Sequence, residues 1–328
     1  LLLLYGISYQ HIYTIFHYVN KEWICHNDVT NISFHNDLQD ENSMEATAKQ
    51  FANGTSHGII SGCIGAVDGW LVRIKCPSHS RDGIKNPGAY YSRKGFYAFN
   101  IQIIADKNKM ILWKSALHKG AQHDSPAFQT SNLYEQLQNK MEWLLEKKYY
   151  LIGDSAYSIR SFLLVPYDRS TPGSKEDGFN YHLSACRIYV ECTFGALYNR
   201  WGILWRPLLF SLQHNVVVID SVCRLHNFII KYEMDHNIDP DETVNIFGKE
   251  IINNLNSIDD DFLGIFCNDQ IHKRRGRYVD SVTKERELGK SLRDEISDNL
   301  RTNGLYRPLT NWWYRDEFNR ICKAHPEI

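Results

Sequence analysis

Three acidic side chains stand where a carboxylate is costly to bury unless it binds something: Asp68, Asp154 and Glu191. Asp68 follows an apolar stretch at 59–67 with strand propensity, and Asp154 follows a second such stretch at 149–153. Glu191 lies at the edge of the apolar face of a predicted helix. Because ligands collect at the carboxyl ends of strands in α/β sheets, we expect the three carboxylates to lie close together. Hard oxygen ligands of this kind suit Mg²⁺ or Mn²⁺.

The alternative for Asp68 is a solvated turn. Gly69 follows it directly, Asp-Gly is a common turn signal, and the glycine predicts that the strand ends at Asp68. The second strand-and-acid pattern at Asp154, together with Glu191, favours metal ligation instead. Two divalent ions about 3.5–4 Å apart activate a water and stabilise the leaving oxygen of a phosphodiester. The three acids therefore predict the catalytic residues of a nuclease that uses two divalent ions.

The elements that must position these acids predict an α/β fold, with a ribonuclease-H-like mixed sheet flanked by helices. The stretch 96–105 alternates apolar and polar residues and forms a predicted antiparallel hairpin with 110–117. Asp124 or Ser125 is a predicted N-cap, because Pro126 follows at a position that suits the first helical turn. The predicted helices span 124–138, 184–201 and 216–232.

A basic loop follows Asp68. Residues 73–94 hold six lysines and arginines against one acid, in a chain whose net charge is −1 and whose pI is about 7.0. Because no global field draws the protein to DNA or to a membrane, a nucleic-acid surface has to be local. Basic and aromatic residues together hold a phosphate backbone, although a solvated loop is an equal alternative on composition alone. The predicted DNA contacts in and near this loop and at a helix end are Arg73, Lys75, Arg93, Lys94 and Arg200.

Composition limits the remaining classes. The 328 residues are 43% hydrophobic, which suits one large domain or two smaller ones. The eight cysteines form no Cys-x-x-Cys pair, which argues against a zinc knuckle and against a small disulfide scaffold. The apolar run at 1–4 is too short for a membrane span and lacks the basic flank of a signal peptide. The chain begins with Leu rather than Met, so we expect a fragment of a longer protein.

Six segments, in the same order, resemble the endonuclease domain of Harbinger/PIF-type transposases and of the domesticated proteins derived from them, a branch of the DDE superfamily. Each segment is unspecific alone, and the six in order are specific; together they cover about residues 59–232. The segments are GAVDGWLVRIKCP, YYSRKGFYAFNIQIIAD, HKGAQHDSPAF, LIGDSAY, LSACRIYVECTFGALYNRWGIL and CRLHNFI.

The resemblance implies roles for residues at matching positions. Asp68, Asp154 and Glu191 hold the metal, and Asp124 is a fourth acid that the family pattern places near it. Either Asp124 or Asp154 is the second acid of the triad; Asp154 is favoured because it ends a predicted core strand, whereas Asp124 has a structural alternative as a helix N-cap.

Further matches concern basic and amide residues. Arg187 has the Arg-x-x-x-Glu spacing of related transposases and either orients the carboxylate or holds a phosphate, with an i,i+4 surface pair as the alternative. Arg93 and Lys94 match the Arg-Lys-Gly of the family as DNA contacts. His226 and Asn227 match its Leu-His-Asn, and we interpret them as buried structural hydrogen-bonding residues.

The family resemblance divides the chain into three regions. Residues 1–58 are a partial helical N-terminal region, whose start is either the remnant of a helix-turn-helix unit or one helix packed on the main domain. Residues 59–232 are the DDE endonuclease domain, and residues 233–328 are a charged, loosely attached tail.

The function implied is a divalent-metal-dependent transposase that cuts phosphodiester bonds at element ends and joins them to target DNA. The expected partners are double-stranded DNA, a Myb/SANT-like DNA-binding protein and further copies of the chain, in the nucleus and without a membrane. One alternative is a domesticated, non-catalytic protein that binds DNA or a partner on the same fold. Another is a general phosphoesterase or RNA nuclease on the same core.

Overall fold

The computed structural model describes residues 32–55, 58–238 and 283–308, together with Thr14, Tyr18 and Val19. Most of the predicted helix-turn-helix remnant lies outside the described residues, as do residues 239–282 and 309–328 of the predicted tail. Among the described helices, none has the length and apolar character that crossing a membrane requires.

A five-stranded mixed sheet forms the centre of the fold. Its strand order is β3-β2-β1-β4-β5, in which β1 and β3 run antiparallel to β2 while β4 and β5 run parallel to β1. The fold is therefore the predicted α/β, ribonuclease-H-like arrangement. The strands are β1 (Cys63–Arg73), β2 (Ala98–Ala105), β3 (Ile111–Lys119), β4 (Tyr150–Ile152) and β5 (Leu163–Leu164).

Helices cover both faces of the sheet and form two apolar cores. The described helices are α1 (His35–Leu38), α2 (Glu41–Thr55), α3 (His79–Asp82), α4 (Asp124–Gln129), α5 (Asn132–Asn139), α6 (Met141–Glu146), α7 (Lys175–Arg200), α8 (Leu212–Asp235) and α9 (Thr283–Thr302). One core joins the sheet to α7, α8 and α9, and the other joins it to α1 and α4–α6, while α2 contributes to both.

The central strand β1 does not end at Asp68, so the predicted strand end was wrong. Asp68 pairs with Ile103 of β2, and Gly69 pairs with Gln102, so the ladder continues without interruption to Arg73. A strand interior accepts glycine where another group approaches the backbone closely. That is the case at Gly69, because a Cβ built there would lie 2.0 Å from Asp124 Oδ1.

Two helix boundaries differ from prediction. The helix predicted over 124–138 is divided into α4 and α5, because Ser131 caps a new helix by accepting a hydrogen bond from the Tyr134 N–H at 3.2 Å. The helix predicted to start at Ser184 begins nine residues earlier. Ser174 is its N-cap and accepts a hydrogen bond from the Asp177 N–H at 3.2 Å. The polar residues before Ser184 therefore belong to the first turns of α7.

The part of the predicted tail that the structure describes at 283–308 is not loosely attached. Helix α9 inserts Leu292, Ile296 and Leu300 into the core that it shares with α7. Its Arg293 guanidinium lies 3.7 Å from the centre of the Tyr167 ring. These contacts make residues 283–302 part of the folded domain, because the apolar face of this amphipathic helix is buried against it.

His226 and Asn227 hold α8 to the hairpin, as predicted. His226 Nε2 lies 2.8 Å from the Lys109 carbonyl oxygen. Asn227 accepts a hydrogen bond from the Ile111 N–H at 2.8 Å and donates one to the Ile111 carbonyl at 2.7 Å. Burial lowers the pKa of His226 to about 4, so the ring is neutral at pH 7 and serves a structural purpose.

Candidate active site

Asp68 occupies the middle of β1 and is the most perturbed acid of the site. Its neighbours at even positions, Ala66 and Trp70, belong to the core under α7, so strand alternation directs Asp68 to the same face. Burial raises the pKa of Asp68 to about 8, and the negative charges of Asp154 and then Asp124 add to that rise. A carboxylate with these neighbours is stabilised by any cation that reaches it.

Asp154 follows β4, the strand beside β1. Its Oδ1 accepts a hydrogen bond from the Ala156 N–H at 2.9 Å, which fixes the carboxylate at the start of the following turn. Burial is the main cause of its raised pKa; Asp124 raises it further, whereas the positive charges of Arg187 and Arg93 lower it. Asp68 and Asp154 therefore form a pair of partly buried acids that repel each other.

Arg187 of α7 connects Asp68 to Glu191. Its Nη2 lies 3.7 Å from Asp68 Oδ2 and 3.3 Å from Glu191 Oε1, so one guanidinium nitrogen contacts both acids. The Arg187 side chain is 12% exposed, whereas that of Glu191 is 48% exposed. Arg187 therefore lies between Asp68 and Glu191. The direct convergence of all three acids stays a prediction.

The carboxylate oxygens of the site suit a divalent cation, but they are not arranged as the complete ligand set of one. Asp68 and Asp154 supply hard carboxylate oxygens, and Mg²⁺ requires one or two carboxylates, with waters and phosphates completing its shell. Across the described residues, however, no three Asp, Glu, His or Cys side chains surround a common point. Asp68 and Asp154 thus fit a site of two carboxylates, which Glu191 would complete after its side chain leaves Arg187.

Asp124 belongs to a separate hydrogen-bond network on the opposite face of the sheet. Its Oδ1 accepts hydrogen bonds from Asn100 Nδ2 at 2.9 Å and from Gln102 Nε2 at 3.1 Å. Gln102 Nε2 also donates to Asn100 Oδ1, and the Tyr157 hydroxyl donates to Gln102 Oε1 at 2.6 Å. Buried amides need such partners, and the two hydrogen bonds hold the Asp124 carboxylate in place. His123, not Asp124, is the N-cap residue of α4.

The close packing of Asp124 depends on Gly69. The two β1 residues Asp68 and Gly69 face opposite sides of the sheet, so the position that a side chain at 69 would fill is taken by the Asp124 carboxylate. Asp124 still influences Asp68 and Asp154 through its charge. Its metal contact stays a prediction, and its described hydrogen bonds hold the carboxylate in the amide network.

The predicted DNA contacts divide into exposed and buried cations. Lys75, Arg93 and Lys94 are exposed, and Arg93 Nη2 lies 3.8 Å from Asp124 Oδ2 at the edge of the site. Arg73 is half-buried, with its guanidinium 4.5 Å from the centre of the Phe96 ring.

The environment of Arg200 does not agree with its predicted role as a DNA contact. Its side chain is 8% exposed and pairs with Glu233 at 2.8 Å, which joins α7 to α8. A buried ion pair of this kind is structural, because taking Arg200 to a phosphate would leave Glu233 buried and unpaired.

Two features of the site were missed from sequence. The bridging position of Arg187 depends on how α7 crosses the sheet, which residue spacing does not reveal. The amide network had a weak signal, since Asn100 and Gln102 alternate with the apolar residues of β2 on its second face. Polar residues on a strand predict a solvated face by default, and only the structure shows that both side chains are buried.

Comparison with known families identifies the region that carries these acids. Residues 67–227 match the family described as DDE superfamily endonuclease. The matched region includes Asp68, Asp124, Asp154 and Glu191. The match confirms the resemblance drawn from the six sequence segments.

Curated relatives cover the same region. The chain is 29% identical to "Putative nuclease HARBI1" of Bos taurus and 28% identical to the protein of that name in Homo sapiens; each match covers 60% of this chain and 53% of the relative. It is 24% identical to "Protein ALP1-like" of Arabidopsis thaliana over 52% of this chain and 44% of that protein. The chain thus spans about half the length of the relatives it matches, and no solved structure gives a significant match.

Proposed function

Since the chain carries a DDE superfamily endonuclease domain over residues 67–227, we propose that it is a divalent-metal-dependent DNA endonuclease of the transposase type. The observation that carries the proposal is the acid pair formed by Asp68, inside β1, and Asp154, just after the adjacent strand β4, with the pKa of both raised by burial. Such a pair is costly in the free protein, and cation binding relieves the cost.

The residues of the site have distinct tasks in this reaction. Asp68 and Asp154 would hold the cation, and Glu191 would join them from α7. A divalent cation supplies positive charge at the scissile phosphate and lowers the pKa of water. Lys75, Arg93 and Lys94 hold the DNA backbone beside the acids, and Asp124 keeps the Arg93 guanidinium at the edge of the site. After cleavage at an element end, the freed 3′-hydroxyl attacks target DNA in the same site.

Double-stranded DNA is the substrate that we propose, and the exposed basic residues beside the acids support it. Location in the nucleus follows from that substrate. The Myb/SANT-like partner and the assembly of several copies stay proposals that rest on the family resemblance. The two ions stay a proposal too, because the described acid pair accounts for one cation position.

The test is metal-dependent nicking of DNA that carries the element ends. We expect the purified protein to nick this DNA with Mn²⁺ or Mg²⁺, and Asp68→Asn or Asp154→Asn to abolish nicking. Asp298→Asn is the matched control, because Asp298 pairs with Lys175 at the surface, with 60% of its side chain exposed. Nicking that persists in Asp68→Asn, or that RNA supports equally well, would refute the proposal.

A non-catalytic DNA- or partner-binding protein is the second candidate. The observation that favours it is the contact of Arg187 with both Asp68 and Glu191. In addition, no three metal-ligating side chains among the described residues surround a common point. A ligand that binds only the native state raises the melting temperature. An unchanged melting temperature in Mn²⁺ and Mg²⁺, together with DNA binding that needs no metal, would support this candidate over the nuclease.

A further inference from the structure

One guanidinium lies between two acids of the candidate site. Arg187 Nη2 contacts Asp68 Oδ2 at 3.7 Å and Glu191 Oε1 at 3.3 Å, and the Arg187 side chain is almost buried. Its charge also lowers the pKa of Asp154, so three acids lie in its field. In the described structure, Arg187 thus supplies part of the positive charge that these carboxylates require.

The position of Arg187 conflicts with the geometry of a loaded site. Mg²⁺ needs its oxygen ligands at about 2.0–2.1 Å, so carboxylates that share an ion approach each other closely. A planar guanidinium between Asp68 and Glu191 keeps their oxygens apart, because each oxygen contacts nitrogen rather than a common centre. A divalent cation beside an arginine is also repelled by it. The contact seen here and a metal shared by Asp68 and Glu191 therefore exclude each other.

We propose that Arg187 takes the place of the divalent cation between Asp68 and Glu191 in the metal-free protein and withdraws when the cation loads. Arg187 then sets the metal affinity of the site and holds the acids together without metal. The proposal rests on the proposed function only in requiring that Asp68 binds a divalent cation. It differs from a purely orienting function, in which removal of Arg187 would weaken metal binding.

Calorimetric titration with Mn²⁺ alone tests the proposal. Arg187→Gln removes the competing charge, so we expect its dissociation constant for Mn²⁺ to fall by about tenfold or more relative to the unmodified protein. Arg93→Gln is the matched control, because Arg93 also lowers the pKa of Asp154 but contacts Asp124 instead of Asp68 or Glu191. We expect the control to change the constant by less than about threefold.

The outcomes separate this proposal from the nuclease proposal. Weaker Mn²⁺ binding by Arg187→Gln, or equal gains in both variants, overturns the competition while leaving the metal site intact. If Arg187→Gln binds Mn²⁺ and the unmodified protein does not, Arg187 prevents metal binding altogether, which supports the proposal. If neither the unmodified protein nor Arg187→Gln binds Mn²⁺, the metal site itself fails, and both proposals fall with it.

A measurement on the unmodified protein covers the case in which Arg187→Gln does not fold. Phenylglyoxal modifies accessible arginines, and mass spectrometry reports the extent at each residue. We expect Mn²⁺ to increase modification of Arg187 while leaving Arg224 unchanged, because Arg224 forms a similar i,i+4 ion pair with Asp220 on α8. Protection of Arg187 by Mn²⁺, or no change, would contradict its withdrawal.

Discussion

At the residue scale, the site depends on two positions that carry no acid. Arg187 balances the charge of the acids, and Gly69 leaves the space in which the Asp124 carboxylate lies. The acids themselves could be singled out from sequence, because Asp68 and Asp154 follow apolar stretches and Glu191 borders an apolar helix face. Gly69 was misinterpreted as the end of a strand, since sequence alone does not distinguish a glycine that ends a strand from one that admits a distant side chain.

Gly69→Ala tests the close contact with Asp124. The new Cβ would lie 2.0 Å from Asp124 Oδ1 and 3.0 Å from Gln102 Nε2, so the carboxylate has to leave its network. We expect a loss of about 1–3 kcal/mol in the free energy of unfolding, measured with urea.

Gly195→Ala is the control for this substitution. A Cβ at Gly195, inside α7, meets no atom within 4 Å. Because alanine favours helix, we expect this variant to gain up to about 1 kcal/mol. Equal stability of the two variants would show that Asp124 does not pack on Gly69.

His226 provides a pH prediction. Burial lowers its pKa from 6.5 to about 4, so between these values the unfolded chain binds more protons than the folded one. Stability therefore falls as the pH falls, and we expect this residue to account for roughly 2 kcal/mol of loss between pH 7 and pH 5.

The control for this prediction is His226→Gln, whose side-chain amide can still donate to the Lys109 carbonyl. Urea unfolding at both pH values should show a smaller loss in the variant. The difference between proteins isolates His226, since burial also lowers the pKa of His35 and His118. An identical loss in both proteins would mean that His226 is not buried as a neutral ring.

At the scale of elements, the hairpin of β2 and β3 was predictable and the start of α7 was not. Alternation of apolar residues on β2 is a local signal, and the structure follows it. The N-cap residue Ser174 lies in a stretch rich in polar residues and glycine, which is typical of a loop. The Ser-x-x-Asp pattern that marks a helix start was therefore overlooked in the prediction. Helix α9 has a charged sequence, and only its three buried apolar residues reveal that it packs on the domain.

Ile296→Ala tests the attachment of α9. Ile296 is buried in the core shared with α7, so the cavity left by truncation should cost about 2–4 kcal/mol in urea unfolding. Ile188→Ala is the matched control on α7, because its side chain is exposed; we expect a change within about 0.5 kcal/mol. A loosely attached helix would make the two variants equally stable.

At the scale of the whole molecule, the fold was predictable because six segments in a fixed order carry more information than any one of them. Net charge, in contrast, says little about DNA binding here. The cations beside the site are few, and one predicted contact, Arg200, proved to be part of a buried ion pair. Which cations are free to meet a phosphate follows from burial, which sequence composition does not give.

The salt dependence of DNA binding tests this distinction. We expect Lys75→Gln and Lys94→Gln each to reduce the slope of log affinity against log salt by about 1, as measured by fluorescence anisotropy. Arg200→Gln should leave the slope unchanged and lower the free energy of unfolding by about 3–5 kcal/mol, because Glu233 loses its partner. A reduced slope in Arg200→Gln would restore it as a DNA contact.

The position of Asp68 inside β1 has a consequence for motion. Its backbone lies in a ladder in the middle of the sheet, so the Asp68 Cα moves only when the central strands move. Glu191 reaches the site with an exposed side chain on a helix surface and changes rotamer without breaking backbone hydrogen bonds. Asp68 and Glu191 therefore move on different timescales. Asp68 stays fixed with the sheet, and Glu191 on α7 is the acid that adjusts to a ligand or substrate.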